Sequence, residues 1–203
     1  MKIRMFVSIP VKDPSALQPV LTDLKLTGGV RPSPISQMHI TVRFIGDIDD
    51  GKTKKVAACV RDAVKDIEPF TITIAGSGCF PNPKRPSVVW IGARPEEVLK
   101  GIADRLSINL KAASIQFDEK PFKSHITVGR CKGPANIDGF LTKYSGFEFE
   151  SFLCDEILIM RSELGPNGAK HTVLERVPIG SQRMQHLPQQ SRFIISSAHT
   201  PSE

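Results

Sequence analysis

HITV, at His39–Val42, recurs unchanged at His125–Val128, and the reading of these two copies decides how the 203-residue chain is understood. Side chains alternate between the faces of a β-strand. His39 with Thr41, and His125 with Thr127, therefore project together, while Ile40, Val42, Ile126 and Val128 enter a core. The flanks agree, because MHITVRFI (38–45) is rich in β-branched and aromatic residues and PFKS (121–124) leads straight into the second copy. A single HxT in a strand is a common accident, and a lone histidine there is more often a satisfied or exposed residue than a catalyst. Two identical words in matching strand contexts are much harder to obtain by chance, and they prompt a comparison of the two halves.

Two opposed imidazoles can supply a general base and a general acid in one step near neutral pH. Displacement at phosphorus needs this pair: the nucleophile is deprotonated on one side, an oxygen leaves on the other, and donors or cations hold the non-bridging oxygens. Thr41 and Thr127 offer hydroxyls at the right offset, and two arginines stand nearby. Arg43, four residues after His39, falls on the same face of a regular strand. Arg130, five after His125, falls on the other face unless Gly129 admits a bulge that turns it back and leaves space for an anion. Both arginines stay candidates on spacing alone.

Outward from the motifs, Lys2–Ile9 reads as a strand. Pro14 to about Leu26 reads as a helix that Asp13 can cap, with Leu17, Val20, Leu21 and Leu24 at helical spacing. Thr27–Ser36 is a Gly- and Pro-containing loop expected over the cleft. Gly51–Ile67 and Glu96–Ala113 are expected helices, the latter presenting Val98, Ile102, Leu106 and Leu110. Thr71–Ala75 and Val88–Ile91 are expected strands joined by the Pro-rich Phe80–Pro86 segment. Ile137–Tyr144 reads as a short helix. Gly146–Leu153, Glu156–Arg161 and Thr172–Val177 read as strands, the last two forming a hairpin about Gly165–Gly168. Strand, helix and strand thus recur in each half. Hairpins mixed with helical connections give an α+β fold, with two antiparallel sheets facing a central cleft and helices outside. Trp90, Phe80, Phe117 and Phe122 can supply a stacking surface for an unpaired base; core packing is the expectation for Trp90, and Phe122 stays open between the two.

The paired motifs resemble those of the 2H phosphoesterases, whose mark is one His-x-Thr/Ser-x motif in each lobe. Within that superfamily the chain is similar to the RNA 2′,3′-cyclic phosphodiesterases, also called 2′-5′ RNA ligases. MKIRMFVSIPV, MHITVRFIGDI, CFPNPKRPSVVWIGA, PFKSHITVGR and ILIMRSEL carry the likeness, which spans about residues 1–180. The resemblance implies a bilobal pseudo-two-fold domain over 1–180. It implies His39 as proton donor to the leaving oxygen, His125 as proton acceptor from water, Thr41 and Thr127 as phosphate ligands, and Arg130 as a neutralising cation. The implied reaction opens a terminal RNA 2′,3′-cyclic phosphate to a 2′-phosphate. The same acid–base pair also serves the alternative joining of such an end to a 5′-hydroxyl, as between tRNA halves. A small cyclic nucleotide, a 2′-5′ oligoadenylate and a non-catalytic RNA-end binding module are the other readings. One departure is His171, which follows the Gly-rich turn where the family pattern often has an aromatic.

Composition sets outer bounds. With 27 Lys and Arg against 21 Asp and Glu, the net charge of +6 is compatible with a nucleic-acid partner without establishing one. Pro83-Lys84-Arg85-Pro86 is either an exposed phosphate-contacting loop or a solvated turn. Cys59, Cys79, Cys131 and Cys154 lack paired spacing and read as reduced core residues, and the histidines lack metal-ligand spacing, so neither disulfide, metal nor cofactor is expected. No apolar run approaches the roughly 20 residues that span a bilayer. The N-terminal apolar stretch is short for a secretory signal, so a cytoplasmic location is expected; a monomer is the expected state. Residues 181–203, rich in Gln, Ser, His and Pro, read as a flexible appendix with at most a Phe193–Ile195 contact, leaving His186 and His199 in solvent.

Overall fold

The structure, a computed structural model, describes residues 1–165 and 168–180. The expected appendix, with Phe193–Ile195, His186 and His199, and the centre of the Gly165–Gly168 turn lie outside the described residues. In chain order the elements are β1 (Lys2–Pro10), α1 (Gln18–Leu26), β2 (Val30–Pro32), β3 (His39–Asp49), α2 (Thr53–Val64), β4 (Phe70–Phe80), β5 (Val88–Arg94) and α3 (Glu96–Ala112). They continue with β6 (His125–Cys131), α4 (Asp138–Tyr144), β7 (Glu148–Cys154), β8 (Glu156–Gly165) and β9 (Gly168–Pro178).

All strand pairings are antiparallel, in the order β7-β4-β5-β6-β3-β1-β8-β9, with β2 added to β6. The α+β expectation is borne out. The two sheets expected on either side of the cleft are instead the two arms of one continuous sheet, joined between the motif strands through a single residue pair, Ile40 with Ile126. Both isoleucines are fully buried on the helix-covered side, which turns the motif histidines and threonines to the other side. β1 lies between β3 and β8 and is buried continuously from Met5 to Ile9, as a central strand should be.

The helices cover the outer side: α2 against β8, β9 and α3, α3 against β3 and β5, α1 against β6, and α4 against β4. Asp13 accepts the Ser15 backbone N–H at 3.0 Å and opens a short 3-10 turn that leads into α1. On α3 the buried stripe is Leu99, Ile102, Ala103, Leu106 and Leu110, each such large aliphatic contributing roughly 1.5–3 kcal/mol. Val98, expected on this stripe, is 37% exposed, because the face that meets the sheet begins one residue later, at Leu99.

Candidate active site

A cavity of about 520 Å³ opens on the face opposite the helices and is lined by His39, Thr41, His125 and Thr127 together. The register explains the grouping. With Ile40 opposite Ile126, an antiparallel ladder sets His39 across from Thr127 and Thr41 across from His125. Each histidine is then diagonal to the other, roughly 7–8 Å away at Cβ, a spacing that leaves room for one tetrahedral group between the rings.

Both rings are held alike. His39 Nδ1 lies 2.7 Å from the Gln37 carbonyl, and His125 Nδ1 lies 2.7 Å from the Lys123 carbonyl, in each case two residues back. A carbonyl only accepts, so each Nδ1 carries the proton and each Nε2 is free for chemistry. Burial pushes His39 down to about 4, against the Gln37 hydrogen bond, with His171 and His125 adding to the depression. Burial also lowers His125, opposed by the Lys123 hydrogen bond, and the charges of Arg130 and Lys123 lower it further. Both imidazoles are therefore neutral at pH 7.

The two arginines part company, and a bulge in each motif strand is the reason. Opposite β1, Val7 faces Arg43 and Ser8 faces Thr41, so Val42 is the extra residue. Opposite β5, Val89 faces Gly129 and Trp90 faces Thr127, so Val128 is the extra residue. Each bulge reverses the alternation immediately beyond the motif. Arg43 is thereby turned away from the cavity, contrary to its candidacy, and is only 8% exposed. Its Nε donates to Ser107 Oγ at 2.7 Å and its Nη1 to the Lys120 carbonyl at 2.8 Å. Phe44 takes its place at the cavity wall, and Arg130, at the matching position after the second motif, also lines the cavity. Gly129 does not leave space for an anion: a Cβ there would lie 3.0 Å from Val30 Cγ1 and 3.2 Å from Leu24 Cδ1.

Aromatic rings frame both histidines. Phe6 lies 5.0 Å from His39, and Phe80 lies 5.1 Å from His125 between centroids. Trp90 lies 5.5 Å from Phe80 and 6.2 Å from His125, so it faces the site rather than the helices, against the expectation of core packing. Phe117 and Phe122 instead pack on the hydrophobic core, and Phe117 lies beneath Arg43. His171, across the cavity on β9, is edge-on to Phe6 at 4.9 Å and to His39 at 5.5 Å. Its Nδ1 is buried without a hydrogen-bond partner among the described residues, and burial lowers its pKa. Sequence reasoning missed Arg4, Phe6 and Arg31, which also line the cavity. The alternation Arg4, Phe6, Ser8 on β1 is the available signal for the first two. The 27–36 loop does lie on the cleft: its Gln37 end donates a side-chain hydrogen bond to the Ala169 carbonyl of β9.

Trp90 lies flat on Gly78, its partner across β4 and β5, where an added Cβ would come within 2.1 Å of the ring. Gly78→Ala is therefore expected to displace the ring from beside His125 and cost about 1–3 kcal/mol. Trp90 is the sole tryptophan of the chain, so its emission and the denaturation midpoint report the change together, and two unaltered readings would refute it.

No group of three or more His, Cys, Asp or Glu among the described residues is arranged to hold a metal. Cavity, rings and hydroxyls make one cleft in which both histidines and both threonines face a common space. Residues 13–166 match the family model described as the 2′-5′ RNA ligase superfamily, and the chain belongs to that family. It is 35% identical over 142 residues to the RNA 2′,3′-cyclic phosphodiesterase of Methanothermobacter thermautotrophicus, covering 68% of this chain and 76% of the relative. It is 32% identical over 169 residues to the protein of that name from Archaeoglobus fulgidus, covering 82% and 94%. The crystal structure of a Thermus thermophilus protein superposes with a TM-score of 0.73 at 28% identity, covering 87% of this chain and 98% of that one. The resemblance read from the paired motifs is thus borne out at the level of family and fold.

Proposed function

We propose that the chain hydrolyses RNA 2′,3′-cyclic phosphate ends to 2′-phosphate ends. The observation that carries this reading is the diagonal placement of His39 and His125 about the Ile40–Ile126 pair, each with Nδ1 tied to a carbonyl and Nε2 free. In the proposed step, His125 Nε2 takes a proton from water as its oxygen bonds to phosphorus. The bond from phosphorus to the 3′ oxygen breaks, and His39 Nε2 protonates that oxygen. The Thr41 and Thr127 hydroxyls donate to the non-bridging oxygens, and Arg130 offsets their charge. Because His39 is neutral in the free protein, the donor proton is acquired in the complex, where the phosphate charge raises its pKa.

The relatives' names support the substrate class. The family description also names ligation, the same ring opening with a 5′-hydroxyl in place of water as the nucleophile. No helix of the described residues is long and apolar enough to cross a membrane.

The test is mass analysis of a defined cyclic-ended RNA, incubated in ¹⁸O-water with a chelator and a 5′-hydroxyl oligonucleotide present. One ¹⁸O in a 2′-phosphate product is expected. A joined product identifies ligation, and a bound but unchanged RNA identifies a binding module. Activity that stops on chelation would overturn the metal-free expectation.

A further inference from the structure

β2 lies on β6 with Arg31 directly opposite Arg130, and both line the cavity at the end beyond Thr127. Like charges facing one another across a ladder repel. Neither arginine has an ion-pair partner among the described residues, whereas Arg43, Arg61, Arg94, Arg161 and Arg176 all do. No carboxylate lines the cavity among those residues, so none of them offsets the pair there. The turn carrying Lys84 and Arg85 continues this edge, because Val88 pairs with Arg130 and the Ser87 carbonyl accepts Cys131 N–H at 3.0 Å. Lys84 and Arg85 are exposed and likewise lack ion pairs among the described residues.

Position separates Arg31 from the reacting centre. Arg130 lies three residues beyond Thr127, about 10 Å along the strand, and its side chain can turn back toward the histidines. Arg31 lies one strand further over and is exposed. A single phosphate between the imidazoles leaves Arg31 without an anion. An RNA chain supplies one at every nucleotide.

Building on the function proposed above, we propose that Arg31 binds the phosphodiester on the 5′ side of the reacting nucleotide, with Arg130 shared between that group and the reacting phosphate. Lys84 and Arg85 extend the track to the phosphates that follow. The site thereby selects oligoribonucleotides over nucleoside 2′,3′-cyclic phosphates.

The experiment compares kcat/KM on a nucleoside 2′,3′-cyclic phosphate with that on cyclic-ended oligonucleotides of increasing length, for the parent protein, Arg31→Ala and Arg31→Lys. The ratio of oligonucleotide to mononucleotide kcat/KM is expected to fall about tenfold in Arg31→Ala, the effect entering through KM. The salt slope of oligonucleotide binding should drop by about one. Lysine should restore part of the ratio, since it returns the charge without the fork. An unchanged ratio, or an equal loss on both substrates, would overturn the proposal. Should the parent turn over neither substrate, the catalytic reading fails by itself. Fluorescence anisotropy with a 3′-phosphorylated oligonucleotide then decides the track: weaker binding by Arg31→Ala supports it, and equal binding overturns it.

Discussion

His125→Ala and His39→Ala are each expected to lower turnover of a cyclic-ended RNA by about 10²–10⁴-fold, because each removes one proton transfer from the step. The pH profile separates their roles. A base must be neutral, so its limb falls as pH drops through its pKa; an acid must be protonated, so its limb falls as pH rises. With the pair intact, kcat/KM should follow a bell on the acid side of pH 6.5, since burial lowers both imidazoles and brings His39 to about 4. The kcat bell, which reports the complex, should lie at higher pH, because the bound phosphate charge favours both imidazolium forms. His125→Ala should lose the acid limb and His39→Ala the alkaline one. Parental turnover in both variants would remove the histidines from the mechanism, and exchanged limbs would reverse their assignments.

The second large effect is on stability. Arg43→Met keeps the apolar stem but removes a buried guanidinium that donates to Ser107, to the Lys120 carbonyl and, at 3.4 Å, to the Ala103 carbonyl. Asp104 lies 3.7 Å away at 47% exposure, so it can turn to water when the charge is lost. The Lys120 carbonyl loses its donor, and the Ser107 hydroxyl is left with only the Ala103 carbonyl, to which it donates at 2.7 Å. A loss of about 2–3 kcal/mol is expected, read as a melting temperature lower by roughly 5–10 °C. Activity per folded molecule should stay within a few-fold of the parent, because Arg43 points away from the cavity. A hundredfold loss of activity at parental stability would show that its charge acts on the substrate.

Arg43 also marks where sequence stops being legible. The four motif side chains can be placed because strict alternation holds through HITV in both strands. Beyond Val42 it fails, and nothing in VRF announces a bulge, since Arg43 and Phe44 both suit an edge-to-core strand. Gly129 gives more away: it prompts the bulge that turns Arg130 toward the cavity, although the room it makes is taken by Leu24 and Val30. The 27–36 loop hides β2, because Gly28, Gly29 and Pro32 suppress any strand signal, and Arg31 is hidden with it. His171 and Trp90 come from other strands, and their approach to the motif histidines depends on sheet curvature that no local pattern encodes. Trp90 misleads because Val-Val-Trp-Ile reads as uniformly apolar, whereas the flat surface of Gly78 on the next strand accepts its ring.

The seam at Ile40 and Ile126 is a single rung, while α3 touches both β3 and β5 beneath it. Backbone hydrogen bonding alone is a weak clamp on the gap between the halves. The gauge of that gap is set from behind, by how Leu99, Ile102 and Leu106 seat the helix against both sides. The alignment of the two imidazoles is thus a property of the chain's hydrophobic backing, and under the proposed mechanism a methylene lost far from any substrate atom would be felt as a change in the stride between them.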